Sequence, residues 1–135
     1  MTHPDAWTVT IPAAPAYALS PNARTHHMVK AKEARELRTI TYFTIGSDHP
    51  GSIPGPVALD WIINLPKGRK HMDWDNALTT LKPAMDGLVM AGVIEDDNTN
   101  IVTRIGLQQV GWKEHRIDGG ELVVTITAVE SARKG

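Results

Sequence analysis

The stretch that decides the fold of this chain is Val57-Ala58-Leu59-Asp60-Trp61-Ile62-Ile63-Asn64-Leu65. Its odd-numbered residues are all large and apolar, and this period of two predicts a β-strand with at least one buried face. Pro66 follows directly, and because proline has no backbone N–H to give to a sheet, it ends the strand.

The next regular element is predicted as a helix from Trp74 to Ala91. At about 100° per residue one arc of this helix is apolar, and it carries Leu78, Leu81, Met85, Leu88 and Val89. The opposite arc is polar, and it carries Asp75, Thr79, Lys82 and Asp86. Pro83 lies inside the run, so we expect a kink or a broken first half. Gly92 is a suitable C-terminal cap.

The remaining periodic segments complete an α+β pattern. Residues 8–11 and 57–65 predict the first two strands, 25–45 a first helix, 101–107 a third strand and 122–128 a fourth. Asp118-Gly119-Gly120 predicts a hairpin between the last two strands. The order β-α-β-α-β-β favours a two-layer sandwich, with two main helices on a mixed four-stranded sheet.

Length and composition narrow the class of protein. At 135 residues the chain predicts a single domain, and its lack of cysteine excludes a disulfide framework, a thiolate zinc site and a cysteine nucleophile. Neither a signal peptide nor a membrane span is predicted. We therefore expect a cytoplasmic protein.

Acidic residues are concentrated between Asp73 and Asp97. This segment holds five Asp and one Glu against a single Lys, a net charge of −5, whereas the whole chain carries −1 and the remainder therefore +4. Carboxylates tolerate such density when a divalent cation lies among them. Mg²⁺ takes a few carboxylates together with substrate phosphates, so the pattern favours a metal-dependent nuclease.

Each part of this segment also has an ordinary structural interpretation. Asp73 or Asp75 could simply cap the helix. Asp96-Asp97-Asn98 could form only a turn, and Lys82 with Asp86 only a surface ion pair. The functional interpretation depends on their conjunction with a neighbouring basic loop, Lys67 to His71. Other sites are weaker: the six His residues are scattered, and the segment after Asp73 lacks the glycine and closing Glu of an EF-hand.

At these residues the chain resembles the RusA family of Holliday junction resolvases, which are common in bacteriophages and prophages. Asp73-Trp74-Asp75-Asn76 resembles the family's Asp-x-Asp-Asn motif, and Lys82 to Leu88 resembles its Lys-x-x-x-Asp-x-Leu helix. Ala91 to Asp97 is similar to its Ala-Gly-hydrophobic-x-x-Asp-Asp segment. The segment from Ser20 to His26, with the basic helix after it, is similar to the family's entry segment, and the resemblance covers about residues 8–128.

The resemblance implies a homodimer that resolves four-way DNA junctions in recombination and repair by paired symmetric nicks. It implies dependence on Mg²⁺, with Mn²⁺ as a substitute, and neither a small-molecule cofactor nor a membrane. Asp73, Asp75 and Asp97 would be catalytic metal ligands, Lys82 the catalytic lysine, Asp96 a further ligand, and Asn76 and Asp86 supporting residues. The residues expected to bind DNA are Arg24, Lys30, Lys32, Arg35, Arg38, Lys67, Arg69 and Lys70.

Two positions depart from the family pattern. The spacing from Asp75 to Lys82 is longer by about one helical turn, and Met72 stands where an Arg is expected, which shifts phosphate contact toward Lys67, Arg69 or Lys70. Three alternatives remain open: a broader branched-DNA or flap endonuclease, a catalytically silent DNA-binding phage protein, and a generic cation-binding module without a DNA partner. A straight helix would also hold the two acidic ends apart, so a bend, a shorter helix or a partner chain is needed to join them.

Overall fold

The computed structural model describes residues 6–20, 23 and 26–129. Arg24 therefore lies outside the described residues, as does most of the segment that resembles the family's entry segment. In chain order the elements are β1 (Ala6–Ile11), a 3₁₀ turn (Tyr17–Leu19), α1 (His27–Gly46), β2 (Val57–Asn64), α2 (Trp74–Thr80), α3 (Lys82–Met90), β3 (Val102–Val110), α4 (Trp112–His115) and β4 (Glu121–Ala128). The predicted α+β class, with a mixed four-stranded sheet, is confirmed.

The sheet has the strand order β1-β4-β2-β3. β2 pairs parallel with β3 and antiparallel with β4, and β4 also pairs antiparallel with β1. The predicted hairpin between β3 and β4 is wrong, because β2 lies between them. Parallel strands need a long crossover connection, and α2 and α3 provide it between β2 and β3.

The core lies on one face of this sheet. Ile11, Leu122 and Ile63 share one row across three strands, and Val9, Val124 and Trp61 share the next. All six side chains are buried. The opposite face is polar, as the hydrogen bond of 2.8 Å between the hydroxyl groups of Thr8 and Thr125 illustrates. The helices therefore cover one face, as a two-layer sandwich requires.

The predicted second helix is broken in two at Leu81. Pro83 lies in the first turn of α3. In one continuous helix it would have no N–H to give to the carbonyl of Thr79, and its ring would crowd that carbonyl. The break also changes which residues are buried on its N-terminal side. Leu78, predicted to pack in the core, is 39% exposed, whereas Ala77 is fully buried. The polar arc is confirmed, since Asp75, Thr79 and Lys82 are exposed.

α1 and α3 pack closely at Gly87. A Cβ atom at this glycine would lie 2.8 Å from both Cβ and Cγ2 of Thr41, and 3.0 Å from the backbone oxygen of Arg38. The absence of a side chain therefore lets the two helices approach. This contact holds α3, which begins with Lys82, against the longest helix of the fold. Among the described residues no helix is both long and apolar enough to cross a membrane.

Candidate active site

Asp73 lies at the junction between the basic loop and α2. The backbone of its neighbour Met72 is held by the side chain of Gln109, on β3. The N–H of Met72 donates to Oε1 of Gln109, and Nε2 of Gln109 donates to the carbonyl of Met72, both at 2.8 Å. Gln109 is only 8% exposed. A buried amide thus satisfies both backbone groups of Met72 and holds the start of α2 on the edge strand.

The two aspartates of the first motif are both exposed. Asp73 is the N-cap residue of α2 by position, but its side chain makes no capping hydrogen bond to the described backbone. Oδ1 of Asp75 instead accepts from the N–H of Asn76 at 2.9 Å. A capping hydrogen bond therefore does not account for the Asp73 carboxylate. Trp74, between them, is 60% exposed.

Lys82 joins the second and third motifs. Its ammonium donates to Oδ1 of Asp86 at 3.0 Å and makes a short contact with Oδ2 of Asp97. The hydrogen bond to Asp97 is the main reason why the pKa of Lys82 is raised. In return, the hydrogen bond from Lys82 lowers the pKa of the Asp97 carboxyl. Both groups are thus held in their charged forms. Their ion pair joins the first and last residues of the segment from Lys82 to Asp97.

The turn after α3 uses Asp96 differently. Its Oδ1 accepts from the N–H of Asp97 at 2.7 Å, and its Oδ2 accepts from Nδ2 of Asn98 at 3.1 Å. The turn interpretation therefore accounts for both oxygens of Asp96. Asn98 continues the turn, accepting from the N–H of Asn100 at 2.9 Å. These hydrogen bonds close the turn from which Asp97 contacts Lys82.

The structure does not bring the two acidic ends into one metal cluster. Within the described part of the chain, no three His, Asp or Glu residues are grouped so that they could hold a metal ion. α2 has seven residues and rises about 10 Å between Asp73 at its start and Leu81 at its end. The break at Leu81 does not group Asp73, Asp75 and Asp97 for a metal ion. The donors are nonetheless carboxylate oxygens, the kind of ligand that Mg²⁺ takes.

The predicted basic residues divide into two groups. On α1, Lys32 and Arg35 are exposed while Lys30 and Arg38 are partly buried. Lys32 lies 3.8 Å from Glu36, so acidic residues partly neutralise this helix. The loop residues Lys67 and Lys70 are exposed and Arg69 is half-buried.

The loop is held by aromatic residues that the sequence analysis missed. Nζ of Lys67 lies 4.8 Å from the ring centroid of Trp112, and Arg116 approaches the same ring at 4.8 Å. The guanidinium of Arg69 lies 5.8 Å from the centroid of Tyr17. Such separations allow cation–π attraction. The interleaving of Trp112 with basic neighbours was visible in the sequence, but its proximity to the loop was not.

A cleft of about 300 Å³ opens beside Asp73. It is lined by Tyr17, Ser20, Gly68, Arg69, Lys70, His71, Met72, Asp73 and Asn76. Asn76, predicted as a supporting residue, is 7% exposed and contributes to the cleft wall. The cleft therefore joins the basic loop to the first acidic motif. Basic and acidic residues that are close in the sequence thus line one concave surface.

Comparisons with known proteins assign no family. No family model matches the chain, and no curated protein matches it. Among solved structures, the chain is similar to the periplasmic domain of Helicobacter pylori MotB, with 12% identity and a TM-score of 0.31, over 99% of this chain and 88% of that chain. At this level the similarity carries no argument about fold or function.

Proposed function

We propose that this chain is a Mg²⁺-dependent endodeoxyribonuclease that acts on branched DNA, with the four-way junction as its substrate. One observation carries the proposal: Lys82 contacts Asp97 across fifteen residues of sequence. These are the residues to which the family resemblance gives catalytic roles in two separate motifs. Lys82 is an exposed residue at the start of α3, and Asp97 lies in the turn after that helix.

The reaction proposed is hydrolysis of a phosphodiester, in which water adds to phosphorus and a sugar oxygen leaves. In this proposal Asp73 and Asp75 at the start of α2, and Asp97 with Asp96 in the turn after α3, would be the Mg²⁺ ligands. Because the described residues of one chain do not group them, the partner chain of a dimer would bring them together. When bound, Mg²⁺ supplies a more acidic water and neutralises charge on the phosphoryl oxygens. Lys82 would stabilise the charge that develops on the transferred group or the leaving oxygen.

The other residues of the site have positioning and binding roles in this proposal. Asp86 orients the Lys82 ammonium from one helical turn away. The exposed Lys67 and Lys70 would bind the phosphate backbone, so affinity should fall steeply as salt rises. Two coordinated cuts need two sites, and we therefore propose a homodimer. A DNA substrate of this kind places the protein in the cytoplasm, that of the bacterial host if the chain is encoded by a phage.

The test is cleavage of an end-labelled four-way junction with and without Mg²⁺. We expect two symmetric nicks, which EDTA abolishes and added Mg²⁺ restores. Asp75→Asn should bind the junction and lose nicking more than about a hundredfold. Asparagine keeps an oxygen that can accept from the N–H of Asn76, so the helix start is preserved. Retained Mg²⁺-dependent nicking by this variant would contradict the assignment.

Asp48→Asn is the matched control, because Asp48 is an exposed aspartate just after α1 and outside the three motifs. It should nick as the unmodified chain does. Three-way, flap and linear DNA separate a junction resolvase from a broader branched-DNA endonuclease. Binding without nicking of any of these substrates would leave only a DNA-binding protein.

A further inference from the structure

The cleft beside Asp73 combines an aromatic wall with a cationic one. Tyr17 is 51% exposed, and Arg69 covers part of its ring. The tyrosine projects from the short 3₁₀ turn after β1, so its position depends on the chain fold and not on the acidic motif. A half-exposed aromatic ring on the wall of a polar cleft is suited to stacking on a planar group.

Arg69 has a charge that the described protein does not balance. No carboxylate of the described residues lies within 4 Å of its guanidinium. One of its nitrogens, Nη2, donates to the carbonyl of Pro15 at 3.2 Å, and Nε is buried without a hydrogen-bond partner. Burial lowers the pKa of this guanidinium. An anion placed in the cleft would offset the cost of removing the charge from water.

Lys70 adds a second cation, because it also lines the cleft and is exposed. The start of α2 contributes Asp73 and the buried amide Asn76 to the lining of the cleft. At about 300 Å³ the cleft is at the lower end of the size range of ligand pockets. It is therefore suited to one unstacked unit of a strand and too small for a duplex.

We propose that this cleft binds a single nucleotide of the DNA strand, with the base stacked on Tyr17 and its phosphate facing Arg69 and Lys70. The occupant would be the unit next to the phosphodiester that is cut, since Asp73 lines the same cleft. Branched DNA supplies such a unit where base stacking is interrupted at the branch. The inference names a subsite of the proposed nuclease and in that respect rests on the proposed function.

The test uses 2-aminopurine, a fluorescent base whose emission falls when it stacks. Single 2-aminopurines are placed at successive positions around the branch of a junction and in a single-stranded oligonucleotide. Binding is measured with Asp75→Asn, so that the strand stays intact. We expect quenching at one position near the nick. Tyr17→Ala should abolish this quenching and weaken binding of the strand roughly 5- to 150-fold, the range for loss of one base–aromatic stack.

Two control variants separate stacking from other effects. Tyr17→Phe keeps the ring and should retain the quenching. Tyr42→Ala removes another exposed tyrosine, on α1 and outside the cleft, and should bind as the unmodified chain does. Lys70→Ala tests the phosphate end, because loss of one phosphate contact should reduce the slope of log affinity against log salt by roughly one.

The outcomes distinguish the subsite from the proposed function. If the unmodified chain nicks junctions but Tyr17→Ala binds and quenches as before, the nucleotide cleft is excluded and the nuclease stands. If no DNA is nicked but quenching still depends on Tyr17, the cleft is supported and the nuclease is excluded. If the circular dichroism spectrum shows that Tyr17→Ala is unfolded, Lys70→Ala tests the subsite instead. A slope of log affinity against log salt that is the same in Lys70→Ala and in the unmodified chain would then exclude the subsite.

Discussion

Gln109 on the edge strand and Met72 before α2 exchange two hydrogen bonds of 2.8 Å through one side-chain amide. Both backbone groups of Met72 depend on this single residue, and Met72 is directly followed by Asp73. The acidic motif is therefore positioned by a residue 37 positions later in the sequence. This relationship gives the first of four predictions.

Gln109→Ala should destabilise the protein by about 1–3 kcal/mol, because it leaves a partly buried N–H and C=O of Met72 without partners. Nicking should fall as well, since the start of α2 loses its anchor. Chemical denaturation and the junction assay measure the two effects. Gln108→Ala is the control: Gln108 is exposed and lies one residue away, on the other face of the sheet. Equal losses in the two variants would contradict the positioning role.

The Lys82–Asp97 ion pair should give a definite pH dependence. Because the pKa of Asp97 is lowered from 3.8, the pair stabilises the fold above that pH and is lost as pH falls through the lower folded value. The pKa of Lys82 is raised from 10.5, so at alkaline pH stabilisation is present below that value and lost as pH rises through the higher folded one. The effect is at most about 1 kcal/mol because Lys82 is exposed.

Removal of the lysine tests this coupling directly. In metal-free buffer, Lys82→Met should raise the pKa of the Asp97 carboxyl, as followed by NMR of its side-chain carbon. Lys113→Met, at an exposed lysine on α4, should leave that titration unchanged. If Asp97 titrates identically in all three proteins, the ion pair does not form in solution.

Gly87→Ala should destabilise the protein by about 1–3 kcal/mol through overpacking. The added Cβ would lie 2.8 Å from the branched Cβ of Thr41, which cannot rotate away. The helix propensity of alanine, about 1 kcal/mol better than that of glycine, offsets part of this cost. Thermal unfolding of Gly46→Ala provides the contrast: Gly46 ends α1 with nothing within 4 Å, so this variant should be neutral or slightly stabilised.

Lys67→Ala should weaken DNA binding about equally for all sequences and reduce its salt slope by roughly one. Lys67 is exposed and packs on Trp112, so its charge remains available to a phosphate. Binding isotherms at several salt concentrations give the slope. Arg104→Ala is the matched control, because Arg104 lies 3.7 Å from Asp60 on the sheet face away from the helices. A salt slope that changes in Arg104→Ala but not in Lys67→Ala would contradict this prediction, because it would indicate DNA binding on the sheet face away from the helices.

Local sequence patterns were sufficient to predict the strands and the break in the second helix. The apolar alternation around Trp61 and Val124 predicted two strands that the structure contains, since side chains two residues apart must share a face of a strand. Pro83 predicted a break in the second helix, and the polar arc through Thr79 and Lys82 is exposed as expected. These features depend on periodicity and on the missing N–H of proline, which are properties of neighbouring residues.

Pairing between distant residues was not accessible in this way. Asp118-Gly119-Gly120 predicted a hairpin, but a turn motif indicates only that the chain reverses direction. The strands that pair with β4 are determined by the buried face that it shares with Trp61 on β2 and Ile11 on β1. No sequence motif indicated the two hydrogen bonds between Gln109 and Met72, because they depend on which face of β3 the Gln109 side chain occupies.

The amino-acid sequence by itself determined the strands, the broken helix and the side of that helix on which the charges lie. Only the tertiary structure decided that Lys82 reaches Asp97, that the described acidic residues form no metal-binding group, and that a cleft lined by Tyr17 opens beside the first acidic motif. The physical reason is one of range: periodicity and backbone chemistry act over a few residues, whereas contacts between charges and the shape of a cleft follow from how whole elements pack.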